Sequence, residues 1–324
     1  VNPSDANPLS LIATDMAAVD RLIADRLQSS VPLVGDVATY LITAGGKRLR
    51  PALLLMVAGA IGYDHAHRHV LAAVVEFIHT ATLLHDDVVD ESSLRRGRPT
   101  ANASFGNAAS VLVGDFLYSR AFQMMVACGN LRVLDILADA TNVIAEGEVL
   151  QLMNMRDPNL SQDDYLKVIR SKTSKLFEAS ARLPAVLQGA DARLEQACAD
   201  YGQALGTAFQ VVDDVLDYEG DHTRLGKNLG DDLREGKTTL PLILAMQAGS
   251  AEQRGVIEQA IAQGDVSALP QILDILNATG AIEQAKRVAH EQAREAIAAA
   301  QQLPAGPYQL ALQTLAEQLL TRQA

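Results

Sequence analysis

Apolar residues recur at three- and four-residue spacing along almost the whole chain, the mark of helices that bury one face. The periodicity predicts helices near 8–29, 33–44, 50–62, 67–92, 107–128, 130–155, 162–189 and 193–219. Shorter ones follow near 237–248, 252–263, 268–278, 281–301 and 306–322. No segment alternates apolar and polar residues over a useful length, and no Asn-Gly hairpin turn appears, so strands are nearly absent from this reading. Ser161 and Asp164 resemble a capping box ahead of "YLKVI", and Gly62, Gly129 and Gly189 stand where helices should stop. Pro184 falls inside the 162–189 helix and should kink it. The one long polar stretch, "GDHTRLGKNLGDDLREG" from Gly220 to Gly236, reads as a functional loop inside a domain. No Ser/Pro/Gly-rich linker divides the chain. The expected architecture is all-α: a large single-domain helical bundle over 1–324, with its core at about 8–322.

Two long apolar helices end in the same way, with "DDVVD" at 86–90 and "DDVLD" at 213–217. Residues four apart share a helix face, so Asp86 projects with Asp90, and Asp213 with Asp217. Carboxylates held that close repel and raise each other's pKa. A hard divalent cation removes the problem. Carboxylate oxygens suit magnesium, which keeps part of its shell for waters and substrate phosphates. No His or Cys accompanies the acids at zinc-like spacing. One such cluster could be a solvated helix end, but two copies, each closing an apolar helix, point to a site. Asp87 and Asp214 complete the candidate metal set. His79 lies two turns before Asp86, and Gln210 one turn before Asp213 and Asp214, on nearly the same faces. Each alone would read as a hydrogen-bonded core or surface side chain.

Composition narrows the partners. The 324 residues carry a formal net charge of −12, a poor match for nucleic acid phosphates or anionic lipid. Against that background the cations are local exceptions. They cluster in "GGKRLRP" (45–51), "RRGRP" (95–99), "SKTSKLF" (171–177), and at Lys227 and Lys237. Together they suggest a site for more than one phosphate group, one diphosphate neutralised by magnesium and another held by Lys and Arg alone. Cys128 and Cys198 form neither a close pair nor a metal-ligand spacing and read as inert thiols of a cytoplasmic protein. The polar start "VNPSDANPLS" does not resemble a signal peptide. The longest apolar run, "PALLLMVAGAIG", is about half of the ~20 residues a spanning helix needs. Transient contact with a membrane surface remains open.

Two false leads can be set aside. "GDDLREGKT", from Gly230 to Thr238, has five residues between its glycines where a P-loop has four. It also lacks a preceding strand and carries Asp231 and Asp232. The adjacent pair His85-Asp86, with His65, His67 and His69 upstream, suggests a helical metal phosphohydrolase. That reading leaves "DDVLD" and the cationic clusters unexplained.

From about residue 8 to 322 the chain resembles the trans-polyprenyl diphosphate synthases, with the nearest likeness to the bacterial octaprenyl type of ubiquinone side-chain synthesis. The resemblance rests on "GGKRLRP", "LLHDDVVDESSLRRGRPT", "GEVLQL", "KTSKLF", "FQVVDDVLD" and "GKNLGDD…GKTTLP", in that order. It implies a helical bundle of the isoprenoid synthase type with a central apolar cavity, usually a homodimer. It also implies magnesium, three ions with the allylic diphosphate bound. Asp86 and Asp90 would bind metal with that diphosphate, and Asp213, Asp214 and Asp217 would bind it from the other side. Arg95, Lys172, Thr173 and Gln210 would contact the allylic substrate. Lys47, Arg50, His79 and Arg96 would hold isopentenyl diphosphate. Lys227 and Lys237 would close over the diphosphate. The catalytic expectation is Asp86, Asp90, Arg95, Lys172, Asp213 and Lys227.

Product length should depend on how far the tail descends beside the first acidic helix. Thr82, Ala81, Ile78 and Val74 form one stripe back from Asp86, and none is aromatic. In the family a bulky residue where Ala81 or Thr82 stands stops growth early, so the small residues here imply a medium or long chain. From Asp86 to Val74 the wall extends ~18 Å. Met124 and Met125, on a neighbouring helix, are candidates for its floor or for ordinary core packing. The sequence leaves open octaprenyl against nonaprenyl (solanesyl) or shorter products. It weighs against a terpene cyclase, which needs no second substrate site. It also weighs against a non-catalytic helical partner subunit, which needs no complete pair of acidic motifs.

Overall fold

A computed structural model describes residues 7–43, 46–95, 97–219 and 229–321. Among them the secondary structure is helical apart from one two-stranded ribbon. A 3-10 turn at Pro8–Ile12 leads into α1 (Ala13–Arg26), α2 (Pro32–Thr43), α3 (Leu49–Ala60) and α4 (His67–Val89). The strands β1 (Leu94–Arg95) and β2 (Arg98–Pro99) come next, then α5 (Ala101–Phe105), α6 (Asn107–Ala127) and α7 (Leu131–Met153). α8 (Gln162–Ile169) runs through a turn at Arg170–Ser174 into α9 (Lys175–Gln188), followed by α10 (Ala192–Glu219) and α11 (Asp231–Glu235). The chain ends in α12 (Leu240–Ala248), α13 (Ala251–Gln263), a 3-10 turn at Val266–Ala268, α14 (Leu269–Thr279), α15 (Ala281–Ala300) and α16 (Pro307–Leu320).

The long helices fall where the apolar periodicity places them, with ends displaced by a few residues. The expected 162–189 helix holds a π-helical turn at Arg170–Ser174, and α9 continues through Pro184, which is buried. The polar stretch ending at Gly236 contains the short helix α11, which periodicity over five residues cannot reveal. The ribbon and α5 are equally short. Ser161 caps α8 as expected, its Oγ accepting from the Asp164 amide at 3.1 Å.

The described chain divides into two compact units. The first comprises Val1–Thr141, Leu176–Gly202 and Ile297–Leu315. Its centre is α4, whose Leu71 to Val75, Phe77, Ile78, Ala81 and Leu84 are all buried. A helix apolar on every side belongs inside others, and α4 packs against α1, α3 and α6. Close approach needs small residues. A Cβ on Gly114 of α6 would lie 2.3 Å from the His85 ring, and one on Gly59 of α3 would lie 2.6 Å from the Tyr308 ring. The second unit comprises Asn142–Lys175, Gln203–Ala296 and Ala316–Ala324. Its core gathers Val211 and Val215 of α10 with Leu240, Leu242 and Ile243 of α12, Ile257 and Ile261 of α13, and Ile272 of α14.

Candidate active site

In the first unit the acidic motif closes α4. The Asp90 amide donates to the Asp86 carbonyl at 2.8 Å, so the helix holds to that point and the two half-buried carboxylates share a face. Asp87, expected among the metal ligands, points inward. It is only 1% exposed, and its Oδ1 accepts from Arg95 Nε at 2.9 Å and Nη2 at 2.6 Å. Its Oδ2 is buried without a partner. The ribbon makes this pairing. Glu91 turns the chain at a φ of 50°, and β1 pairs with β2 in the register Leu94↔Pro99 and Arg95↔Arg98. Asn102 Nδ2 then donates to the Asp87 carbonyl at 3.1 Å and locks the segment. Burial opposes the charge on Arg95, but Asp87, and then Asp86 and Asp90, hold its pKa above the usual arginine value. The arginines that follow the acids thus begin by answering one of them.

In the second unit the acidic motif closes α10 on the same plan with different partners. Asp213 and Asp217 are half-buried, while Asp214 is 4% exposed. Asp214 Oδ2 accepts from Tyr165 Oη at 2.6 Å and Oδ1 from Gln210 Nε2 at 2.7 Å. Burial, and then repulsion from Asp232, push the Asp214 carboxyl up to about 8. Asp214, like Asp87, is therefore an interior group, unlike the outer acids of its motif. Asp217 Oδ2 accepts from the Asp232 amide at 3.2 Å. Lys172 Nζ sits 2.7 Å from Glu148 Oε2, and Thr173 Oγ1 donates to Gln210 Oε1 at 2.9 Å. Lys172, Thr173 and Gln210, expected to act together, are brought together with Asp214. Lys237 Nζ is 2.6 Å from Glu235 Oε2.

The "GGKRLRP" cations lie in the first unit. Lys47 is exposed, and Arg48 turns the chain at a φ of 49° while its Nη1 pairs with buried Glu76 at 2.6 Å. Arg50 lies over the Phe177 ring, 4.5 Å from its centroid, a cation–π contact. Burial lowers its pKa to about 10 against the pull of Glu76. His79 is half-buried on α4. Arg96 and Lys227 lie outside the described residues.

The chain-length stripe is closed. Val74, Ile78 and Ala81 are fully buried, Met124 and Met125 of α6 are buried too, and Thr82 donates to the His79 carbonyl at 2.7 Å. These side chains of α4 and α6 are packed as core.

Four residues that sequence reasoning left unassigned emerge here: Glu76, Glu148, Tyr165 and Asp232. Glu148 stands in "GEVLQL" and could have been matched to a nearby cation. Tyr165 and Asp232 meet Asp214 only through the fold.

The donor set fits magnesium. Asp86 with Asp90, and Asp213 with Asp217, offer oxygen ligands in pairs. No three His, Cys, Asp or Glu side chains among the described residues converge into a ready-made cage. Magnesium uses one or two carboxylates plus substrate phosphates, and needs no such cage.

Comparison with known proteins agrees. The polyprenyl synthetase family profile matches residues 31–276. Octaprenyl diphosphate synthase of Escherichia coli is 53% identical over 307 residues, covering 94% of this chain and 95% of that one. Its counterpart in Haemophilus influenzae is 50% identical, with 93% and 92% covered. The polyprenyl synthase of Caulobacter crescentus, solved with calcium and isoprenyl diphosphate, superposes with a TM-score of 0.95 at 47% identity, covering 98% of both chains.

Proposed function

The chain belongs to the polyprenyl synthetase family and is a trans-prenyltransferase, and on that premise we propose its reaction and the residues that carry it. It adds isopentenyl diphosphate units one after another to an allylic diphosphate, with farnesyl diphosphate the expected primer. The product is all-trans octaprenyl diphosphate for the ubiquinone side chain. The observation that carries this is the shared build of the two acidic helix ends, each with its first and fifth residues half-buried and its second turned inward.

Magnesium, three ions with the allylic diphosphate bound, would supply positive charge to the diphosphate as it leaves. Asp86, Asp90, Asp213 and Asp217 hold the ions. Lys172, Thr173, Gln210 and Arg95 orient the allylic diphosphate, and Lys227 and Lys237 close over it. Lys47, Arg50, His79 and Arg96 hold isopentenyl diphosphate without metal. The Phe177 ring lies against the Arg50 guanidinium and restricts its orientation. When the allylic carbon–oxygen bond breaks, the cation left behind needs a site free of water, which apolar helices provide. The isopentenyl double bond attacks that cation, and a proton passes to the departing diphosphate.

All of this lies in one polyprenyl synthase domain, a reading supported by the family match, which draws on residues of both compact units. The homodimer is supported by α6, which exposes Leu112, Phe122 and Val126 at helical spacing. Two free buried thiols, Cys128 and Cys198, fit a cytoplasmic location. No helix among the described residues is long and apolar enough to cross a membrane. The test is direct. Purified protein with farnesyl and isopentenyl diphosphates and magnesium should give a forty-carbon chain by chromatography, and a cyclised hydrocarbon or no release of diphosphate overturns the reading. Ala81→Phe should shorten that chain by several units, and an unchanged product removes α4 as the wall.

A further inference from the structure

The turn that carries Lys172 and Thr173 is wider than an α-helix. Arg170–Ser174 winds as a π-helical turn, and the Lys175 amide reaches back five residues to the Arg170 carbonyl. Such a turn inserts one residue and has poorer hydrogen-bond geometry, so it persists where neighbours hold it. Two elements of the same compact unit do so here, each with a pair of residues.

On α7, buried Gly147 passes directly beneath the turn. A Cβ there would lie 2.8 Å from the Ser171 Cβ and 2.9 Å from the Lys172 amide nitrogen, closer than side chains approach. The next residue, Glu148, takes the Lys172 ammonium at 2.7 Å. On α10, buried Thr207 places its Oγ1 3.0 Å from Ser174 Oγ. Ser174 Oγ also reaches the Ile169 carbonyl at 3.5 Å, and Thr207 Oγ1 donates to the Gln203 carbonyl at 2.9 Å. One turn on, Gln210 takes the Thr173 hydroxyl at 2.9 Å. On α7, Gly147 therefore leaves room for the turn's backbone and Glu148 takes one of its side chains, while on α10 Thr207 and Gln210 each engage one of its hydroxyls.

We propose that Gly147, Ser174 and Thr207 are positioning residues that hold the π-helical turn open and so aim Lys172 and Thr173 at the allylic diphosphate. This rests on the reading that those two side chains contact that substrate. If the turn tightens to an α-helix, one residue leaves the winding, and the side chains before and after it rotate against each other by about 100°. Lys172 and Thr173 then no longer present their groups in one direction.

The test is a mutant cycle on the full chain. Gly147→Ala should raise KM for the allylic diphosphate at least tenfold and leave KM for isopentenyl diphosphate within twofold. Because the loss passes through Lys172, Gly147→Ala with Lys172→Ala should cost no more than the worse single change. Equal KM values in Gly147→Ala and wild type, or losses that multiply in the double variant, overturn the proposal. If Gly147→Ala fails to fold by circular dichroism, Ser174→Ala, which deletes one hydroxyl, carries the test. It should raise the allylic KM at least threefold, and no rise overturns the proposal. If the wild type itself turns over no allylic diphosphate, the prenyltransfer reading fails separately. Hydrogen exchange then decides on the turn: faster exchange at 171–175 in Ser174→Ala supports the proposal, and unchanged exchange overturns it.

Discussion

The acidic end of α4 settles its inner carboxylate against a cation, whereas the acidic end of α10 settles its inner carboxylate against neutral donors. Asp87 meets the Arg95 fork, and Asp214 meets a tyrosine hydroxyl and a glutamine amide. The same five-letter motif thus stands in two electrostatic settings. In the first the buried charge is matched, and the ribbon that supplies Arg95 becomes part of the site. In the second the buried carboxyl is held with a proton until about pH 8, because burial and Asp232 outweigh its two hydrogen bonds. What the motifs share is the outer pair, four residues apart on one helix face. The shared part is the expected metal grip, and the part that differs is local support.

The largest effect should come from the outer acids. Asp86→Asn and Asp213→Asn should each lower kcat by about 10²–10³, the scale of one lost charge-stabilising contact, measured at saturating substrates and magnesium. A loss at only one motif would break the symmetry of the comparison. Next comes stability. Asp87→Asn strands the Arg95 guanidinium, and removing one partner of such a pair costs about 3 kcal/mol, read by urea denaturation. Asp214→Asn should behave in the opposite way. The folded carboxyl titrates at about 8, against about 3.9 in an unfolded chain. Between those values the folded state binds the extra proton, so wild-type stability without magnesium should fall as pH rises through the window. Asp214→Asn should flatten that fall, and an identical slope in both proteins removes the claim. The smallest effect should be Tyr165→Phe, which deletes one hydrogen bond to Asp214 and should cost about 1 kcal/mol in the same denaturation experiment at acid pH.

Much of this was legible in the sequence. The apolar period located α4 and α10, and the four-residue spacing paired Asp86 with Asp90 and Asp213 with Asp217, because both follow from the helix repeat alone. The inward turn of Asp87 and Asp214, both placed among the metal ligands by the sequence reading, was not legible, and neither were their partners. Arg95 arrives by a ribbon of two-residue strands, too short for any period. Tyr165 lies 49 residues from Asp214 and meets it only through packing. The π-helical turn was hidden as well, since "RSKTSKLF" has the composition of an ordinary helix and the room for the wider turn comes from a distant residue, Gly147. The stripe from Val74 to Ala81 was legible as small and apolar, but that pattern cannot distinguish an open wall from a packed one.

The division of labour within each motif has one most direct test, the magnesium concentration giving half-maximal activity in the six single Asp→Asn variants. It should rise at least tenfold for positions 86, 90, 213 and 217 and stay within twofold of wild type for 87 and 214. A shift at 87 or 214 as large as that of its neighbours would contradict the account.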